Sequence, residues 1–243
     1  MAKTGIGITG LTLLKWSQAT GQSMFFTSDR NPKGTGRGNE LFPHYKNKPV
    51  SYFSVKLQDN FWRPRQESLL FSLDSFTAHV DEKYGGFRGF RENAKDYNPG
   101  KLRLTPHLEP VKFLESISTV AGMTNNSEII RFTAKWAEYF RSFQMEDGYF
   151  GFGTYVKTAH SPEIRWRNEW ASHETYQMGH YIEGAISAME STNDSLTFDS
   201  AIRCANFIAQ EMLDRGKDFT PGHEEITQAL MRLYNITGNP RYL

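Results

Sequence analysis

The sequence predicts an all-α chain built of helical hairpins. Two observations point there. From about residue 106, apolar residues recur at helical spacing in five successive segments. Short turns of Gly, Asn and Pro separate those segments, with little period-two alternation between them.

The chain of 243 residues can bury a large core. Its net charge of +1, with 23% charged residues, gives no reason to expect nucleic acid or a membrane surface as partner. No apolar run is long enough to span a bilayer. The single cysteine, Cys204, excludes an internal disulfide framework and a cysteine metal cluster. Aromatic residues make up 14%, a share that suits sugar-ring binding and well-packed cores alike.

Residues 1–49 read as an irregular leader. Lys3 followed by Gly5 to Leu14 has the shape of a poor secretory signal. Gly and Thr interrupt it, Lys15 and Trp16 follow at once, and no small-x-small cleavage site stands out, which favours a cytoplasmic chain. Residues 50–243 are expected to form the folded part. Val50, Tyr52 and Ser54 alternate with Ser51, Phe53, Val55 and Leu57, suggesting one short strand. A helix is expected over 65–80 and a long loop over 81–104, marked by Gly85-Gly86 and Asn98-Pro99-Gly100.

The five helices then follow. The first is expected from about Pro106 to Val120, ending at Gly122, and the second from about Ser127 to Phe143. The turn Gln144-Met-Glu-Asp147-Gly148-Tyr149-Phe150 reads as scaffold closing the second helix. In the loop from Gly151 to Arg167, His160 reads as solvated. At its end, Trp166 and Trp170 fit a sugar platform or a core. The third helix starts with Ser172 as N-cap and ends near Asn193-Asp194; the fourth covers about 196–213. The fifth runs from Pro221-Gly222 to Gly238-Asn239-Pro240.

The third helix organises the rest. At 100° per residue, His173, Tyr176, His180, Glu183 and Ser187 share one narrow stripe, while Gly179, Ile182, Ala185, Ile186 and Met189 occupy other faces. Such a stripe can face bulk water on an amphipathic surface helix. Its lack of Lys and Arg argues instead for a helix lining a cavity. His180 lies two turns deeper than His173 and reads as a satisfied core histidine. The two are too far apart along the helix for an i, i+4 metal pair.

Helices one, three and five open with a histidine and an acid: His107 and Glu109, His173 and Glu174, His223 and Glu224. Acids near helix N-termini are common because of the helix dipole. Three histidines of the seven in the chain, all at alternate helix starts, are less ordinary. If hairpins stack side by side, alternate helices form an inner layer and these first turns gather around one pit. The fifth helix has no partner before Leu243, so a further hairpin or another chain is expected to cover it.

The chain resembles the N-terminal half of the catalytic domain of glycoside hydrolase family 127, the β-L-arabinofuranosidase-like proteins, over roughly residues 50–243. The resemblance rests on Val55-Lys-Leu-Gln-Asp-Asn-Phe-Trp-Arg-Pro-Arg65, Lys112-Phe-Leu-Glu115, Gln144-Met-Glu-Asp-Gly-Tyr149, Trp170-Ala-Ser-His-Glu-Thr-Tyr-Gln-Met-Gly-His-Tyr-Ile-Glu-Gly184, and Pro221-Gly-His-Glu-Glu-Ile226 with Leu233-Tyr-Asn-Ile-Thr-Gly-Asn-Pro-Arg-Tyr-Leu243. It implies a partial (α/α)6 toroid and a retaining, exo-acting glycoside hydrolase whose ligand is a small furanoside or oligosaccharide.

By the same resemblance His173 and His223 are sugar-contacting histidines, with Glu174, Tyr176 and Glu224 beside them. His107 is the first helix's candidate. Its context, Thr105-Pro106-His107-Leu108-Glu109, departs from the Ser-Asp or Asn-Asp that family members usually carry there. The resemblance places the family's cysteine nucleophile, glutamate acid/base and zinc ligands later than Leu243. No catalytic residue and no metal ligand is therefore expected in this chain, and zinc is expected only in the full-length family. That thiolate is an exception to the two-carboxylate scheme of most glycosidases. Cys204 lies mid-helix and reads as a small buried hydrophobe. Two other readings are a non-catalytic carbohydrate-binding helical protein and a sugar epimerase, in which paired histidines move a proton beside a carbonyl.

Overall fold

The computed structural model describes residues 52–68, 72, 108–150, 162–167 and 169–243. The leader, most of the 65–80 helix, the 81–104 loop, His107 and the segment 151–161 lie outside the described residues.

Five long helices dominate. They are α1 (Leu108–Thr124), α2 (Ser127–Arg141), α3 (Glu174–Thr192), α4 (Ser195–Arg215) and α5 (Glu225–Thr237). Local chemistry sets most boundaries. Asn126 Oδ1 caps α2 by accepting the Glu128 and Ile129 N–H groups at 2.8 and 3.3 Å. Asp194 Oδ1 caps α4 through Thr197 N at 3.0 Å. Asn193 (φ 61°) and Gly238 (φ 69°) close α3 and α5 in the left-handed conformation.

The expected strand is not there. Tyr52–Ser54 form a 3-10 turn, and residues 62–68 are already helical. Asp59 Oδ1 starts that helix by accepting from the Phe61 and Trp62 N–H groups at 2.8 and 2.5 Å. The apolar alternation at 50–57 has a different cause. Phe53 packs on Gly122 so closely that a Cβ there would lie 1.9 Å from its ring. This also explains why α1 continues past Gly122 to Thr124. The glycine is a seat for an aromatic ring, not a helix stop.

The alternation of layers holds. α1 and α5 both pack against α3, while α2 pairs with α1 and α4 with α3. The shared core includes Leu114 and Ile117 of α1, Phe140 of α2, Tyr181, Ile182 and Ile186 of α3, Ile208 of α4 and Ile226 of α5. Close approach needs small residues: a Cβ on Gly179 would stand 2.9 Å from the Glu225 carbonyl carbon and the Ile226 nitrogen. The all-α hairpin arrangement is thus the observed one, with α1, α3 and α5 as inner helices. No helix among the described residues is long and apolar enough to cross a membrane.

The Asp147-Gly148 turn is scaffold. Gln144 and Phe150 form an antiparallel bridge, Tyr149 N donates to Asp147 Oδ1 at 2.9 Å, and Phe150 stacks on Tyr181 at 3.9 Å.

Candidate functional site: a histidine–tyrosine cluster at the inner helix starts

Ser172 does not cap α3. It closes a short helical turn, Glu169–Ser172, and the break falls at His173, which sits left-handed at φ 54°, ψ 35°. An L residue there costs roughly 1–2 kcal/mol, and surrounding bonds must hold it. Thr175 N donates to Glu169 Oε1 at 2.7 Å, and the Thr175 hydroxyl donates to the same oxygen. His173 N donates to Glu169 O at 2.9 Å, and Gln177 Nε2 to Ser172 O at 3.1 Å. Glu169 does the capping that the sequence reading gave to Ser172.

The turn before α5 is pressed against the same spot. A Cβ on Gly222 would lie 2.9 Å from Glu169 O, so only glycine lets the chain pass. The next residue is His223. Its ring centroid stands 4.8 Å from that of His173 and 4.8 Å from that of Tyr176. Tyr176 meets His180 edge to face at 4.4 Å, and the Lys112 ammonium of α1 lies 5.1 Å from the Tyr176 ring centroid. Residues from all three inner helices or their entry turns therefore meet at one place.

Among the described residues His173 Nδ1 is buried without a hydrogen-bond partner, and so is His180 Nε2. Buried polar atoms are normally paired. Imidazole donors and acceptors beside a phenol ring can bind ring hydroxyls and offer flat apolar faces to C–H groups.

Beneath this cluster the inner helices share a charged layer. Burial, with Lys112 and His223 nearby, pushes His180 down to about 4. Its Nδ1 lies 3.1 Å from Glu225 Oε1. Burial raises the Glu225 and Glu115 carboxyls, helped in both cases by the charge of Glu183. The His180–Glu225 contact is therefore not a strong ion pair near neutrality: the imidazole is uncharged. Arg232 of α5 bonds Glu183 and, at 3.0 Å, Glu190, both on α3.

Among the residues singled out from sequence, the structure brings together His173, Tyr176 and His223. It does not bring Glu174 to them. Glu174 is buried on another side, where its carboxylate accepts Tyr149 Oη at 2.6 Å, Ser172 Oγ at 2.9 Å and Trp166 N at 3.2 Å. It ties α3 to the preceding turn. Glu224 is exposed, just before α5. His223 precedes the α5 helix and does not lie in its first turn, because α5 begins at Glu225 and not at Pro221-Gly222.

His180 is largely buried, with its Nδ1 against the Glu225 carboxylate, and it joins the cluster through Tyr176. The stripe it shares with Tyr176 held the signal. Glu169 was missed because a carboxylate reaching from i−6 to an N-terminal amide has no short-range signature.

The metal fit is poor. Among the described residues no three His, Cys, Asp or Glu side chains gather as ligands. Cys204 is fully buried in α4, and burial pushes its thiol up, away from the thiolate a nucleophile or zinc ligand needs. These residues do not fit the zinc site that the resemblance implies, and no step is assigned to it.

Known proteins share the fold. A non-reducing end β-L-arabinofuranosidase of Bifidobacterium longum subsp. longum is 30% identical over 138 residues, which is 54% of this chain and 20% of that protein. A GH127 β-L-arabinofuranosidase from Geobacillus stearothermophilus T6 superposes with a TM-score of 0.64 at 26% identity, covering 77% of this chain and 31% of its own. A second GH127 β-arabinofuranosidase gives 0.62 at 25% identity, covering 79% and 32%. The chain thus spans about a fifth of the curated relative and about a third of each solved structure. The family profile described as β-L-arabinofuranosidase, GH127 catalytic domain, matches residues 54–243, and the chain belongs to that family.

Proposed function

We propose that this chain supplies part of the terminal-sugar pocket of a β-L-arabinofuranosidase-type glycoside hydrolase, with His173, His223 and Tyr176 as its sugar-contacting side chains. The observation that carries the reading is the 4.8 Å approach of the His173 and His223 rings, delivered by two different inner helix starts. Unpaired imidazole nitrogens there suit the hydroxyls of a furanose, and family membership supports the sugar class.

His180 forms the floor of this pocket through its edge-to-face contact with Tyr176. Glu174 acts at a distance, by fixing the start of α3. Glu224 flanks His223 in this site by family resemblance, and His107 is the first helix's candidate by its place at a helix start, where the sequence departs from the family's pattern. The nucleophile, the acid/base and the zinc ligands are contributed by other sequence of the full-length protein, and zinc is not held by this chain.

Two measurements test this. Titration with methyl β-L-arabinofuranoside should show binding that His173→Ala and His223→Ala each weaken; no binding by the parent chain defeats the pocket. Incubation of the purified chain with zinc and an aryl β-L-arabinofuranoside should give no turnover, and turnover above background overturns the assignment of the chemistry elsewhere. The epimerase reading predicts deuterium exchange at a sugar carbon in the same sample, which this proposal does not.

A further inference from the structure

Trp170 is 84% exposed, more than any other large apolar residue of the described chain. Isolated surface hydrophobics are ordinary, but an exposed indole beside a binding cluster is not. The neighbouring Trp166 shows the contrast: its Nε1 donates to Glu211 at 2.8 Å and its ring packs on Phe207 and Phe219. Trp170 makes no ring contact with another aromatic among the described residues.

Its backbone is fixed on two sides. The helical turn Glu169–Ser172 runs directly into His173, with His173 N bonded to Glu169 O at 2.9 Å. On the other side, the Gly222 Cα packs against the Glu169 carbonyl, the group bonded to the Trp170 nitrogen. Trp170 therefore lies on the segment that leads into His173, beside the turn that carries His223. A rigid backbone presenting a flat aromatic with two rotatable angles binds at little entropic cost.

Resting on the sugar-pocket reading above, we propose that Trp170 is a stacking platform for the second sugar ring of a glycoside whose terminal ring lies against His173 and His223. The site would then select oligosaccharides over single sugars. The indole takes the apolar C–H face of that second ring, leaving its hydroxyls to solvent.

The test compares two ligands on the full chain by calorimetry: methyl β-L-arabinofuranoside, and a disaccharide with β-L-arabinofuranose at its non-reducing end. The parent chain should bind the disaccharide more tightly. Trp170→Ala should weaken disaccharide binding about tenfold and leave the monosaccharide unchanged, as expected for loss of one aromatic contact. Trp170→Phe should restore most of the difference. Circular dichroism should match the parent, because an exposed side chain contributes little to folding.

Equal disaccharide affinity in the parent chain and Trp170→Ala overturns the platform while the pocket stands. So does a parallel loss for both ligands. If Trp170 instead covers another copy, Trp170→Ala shifts the elution volume and not the sugar affinity, which also overturns it. Failure of the parent chain to bind either ligand removes the pocket reading together with this one.

Discussion

Glu169 and Thr175 are joined across the left-handed residue His173: one carboxylate oxygen accepts both the backbone N–H, at 2.7 Å, and the hydroxyl of Thr175. The strain at His173 persists because this clamp and the Glu169 O to His173 N bond over-determine the turn. Glu169→Ala removes a cap and leaves a buried amide without its acceptor, for a loss of about 1–3 kcal/mol. His173 should then relax away from His223. The expected result is a lowered melting temperature together with a sugar affinity reduced to that of His173→Ala. A variant that melts lower but binds normally separates the clamp from the pocket.

Gly179 is where α3 meets the start of α5. A Cβ there would meet Glu225 Cγ at 2.8 Å and backbone atoms of Glu225 and Ile226 at 2.9 Å, and turning the Glu225 side chain relieves only the first of these. Overpacking of this kind typically costs about 1–3 kcal/mol. It should also push His223 away from Tyr176. Denaturant unfolding checks the first effect, and the His223 ring signals in a proton spectrum check the second. The gentler contact at Gly184, about 3.0 Å from Leu114 side-chain atoms, should tolerate alanine better.

Arg232 stands against two glutamates of α3 whose side chains are only 4% and 6% exposed. Arg232→Met leaves those carboxylates facing one another without that guanidinium, and losing one partner of a buried pair costs about 3–5 kcal/mol. Combining it with Glu183→Gln and Glu190→Gln should recover most of the loss, since the charge and not the shape is the difficulty. Thermal melts of the single and triple variants decide it: equal destabilisation of both contradicts an electrostatic origin.

His180 is held uncharged by burial and by the positive neighbours Lys112 and His223. Its folded value of about 4 lies below the unfolded 6.5, so the unfolded chain binds the extra proton first. The resulting stability is complete above about pH 6.5 and fades as pH falls toward 4. In a proton-detected titration, the His180 ring signals should stay fixed from pH 8 to about 5. Movement centred near 6.5 would show an imidazole open to water.

The periodic parts of the fold were legible because burial repeats along a helix. The alternating layers, the Asn193 and Gly238 stops and the His173–His223 meeting all follow from apolar spacing and from histidines at alternate helix starts. The errors share a physical cause. Gly122, Ser172 and the alternation at 50–57 carry local signals that distant partners override: a Phe53 ring fills the glycine's space, a remote carboxylate takes over the cap, and packing on α1 replaces strand pairing. Glu174 points away from the pit because Tyr149 and the Trp166 amide claim it, and neither lies within a helical turn of it. Sequence spacing places a residue on an element. It does not say which neighbour reaches it first.

The Glu169 carboxyl gives a pH dependence of opposite sign to that of His180. Burial pushes it up to about 7 from 4.5, outweighing the Thr175 donors that favour its ionised form. An acid whose folded value is raised stabilises the fold fully below the unfolded value and loses that contribution as pH rises through the folded one. Glu169→Gln keeps an oxygen to accept from Thr175 and cannot ionise. At pH 4 to 5 parent and variant should therefore melt together. Between pH 5 and 8 the parent should fall behind by on the order of 3 kcal/mol, the equivalent of the shift at a group only 9% exposed. Loss of the charge-assisted Thr175 bonds works the other way and sets a clear contrast: if they dominate, Glu169→Gln is the less stable chain at pH 8. Parallel melting curves across the whole range would mean that this carboxyl titrates near 4.5, open to water.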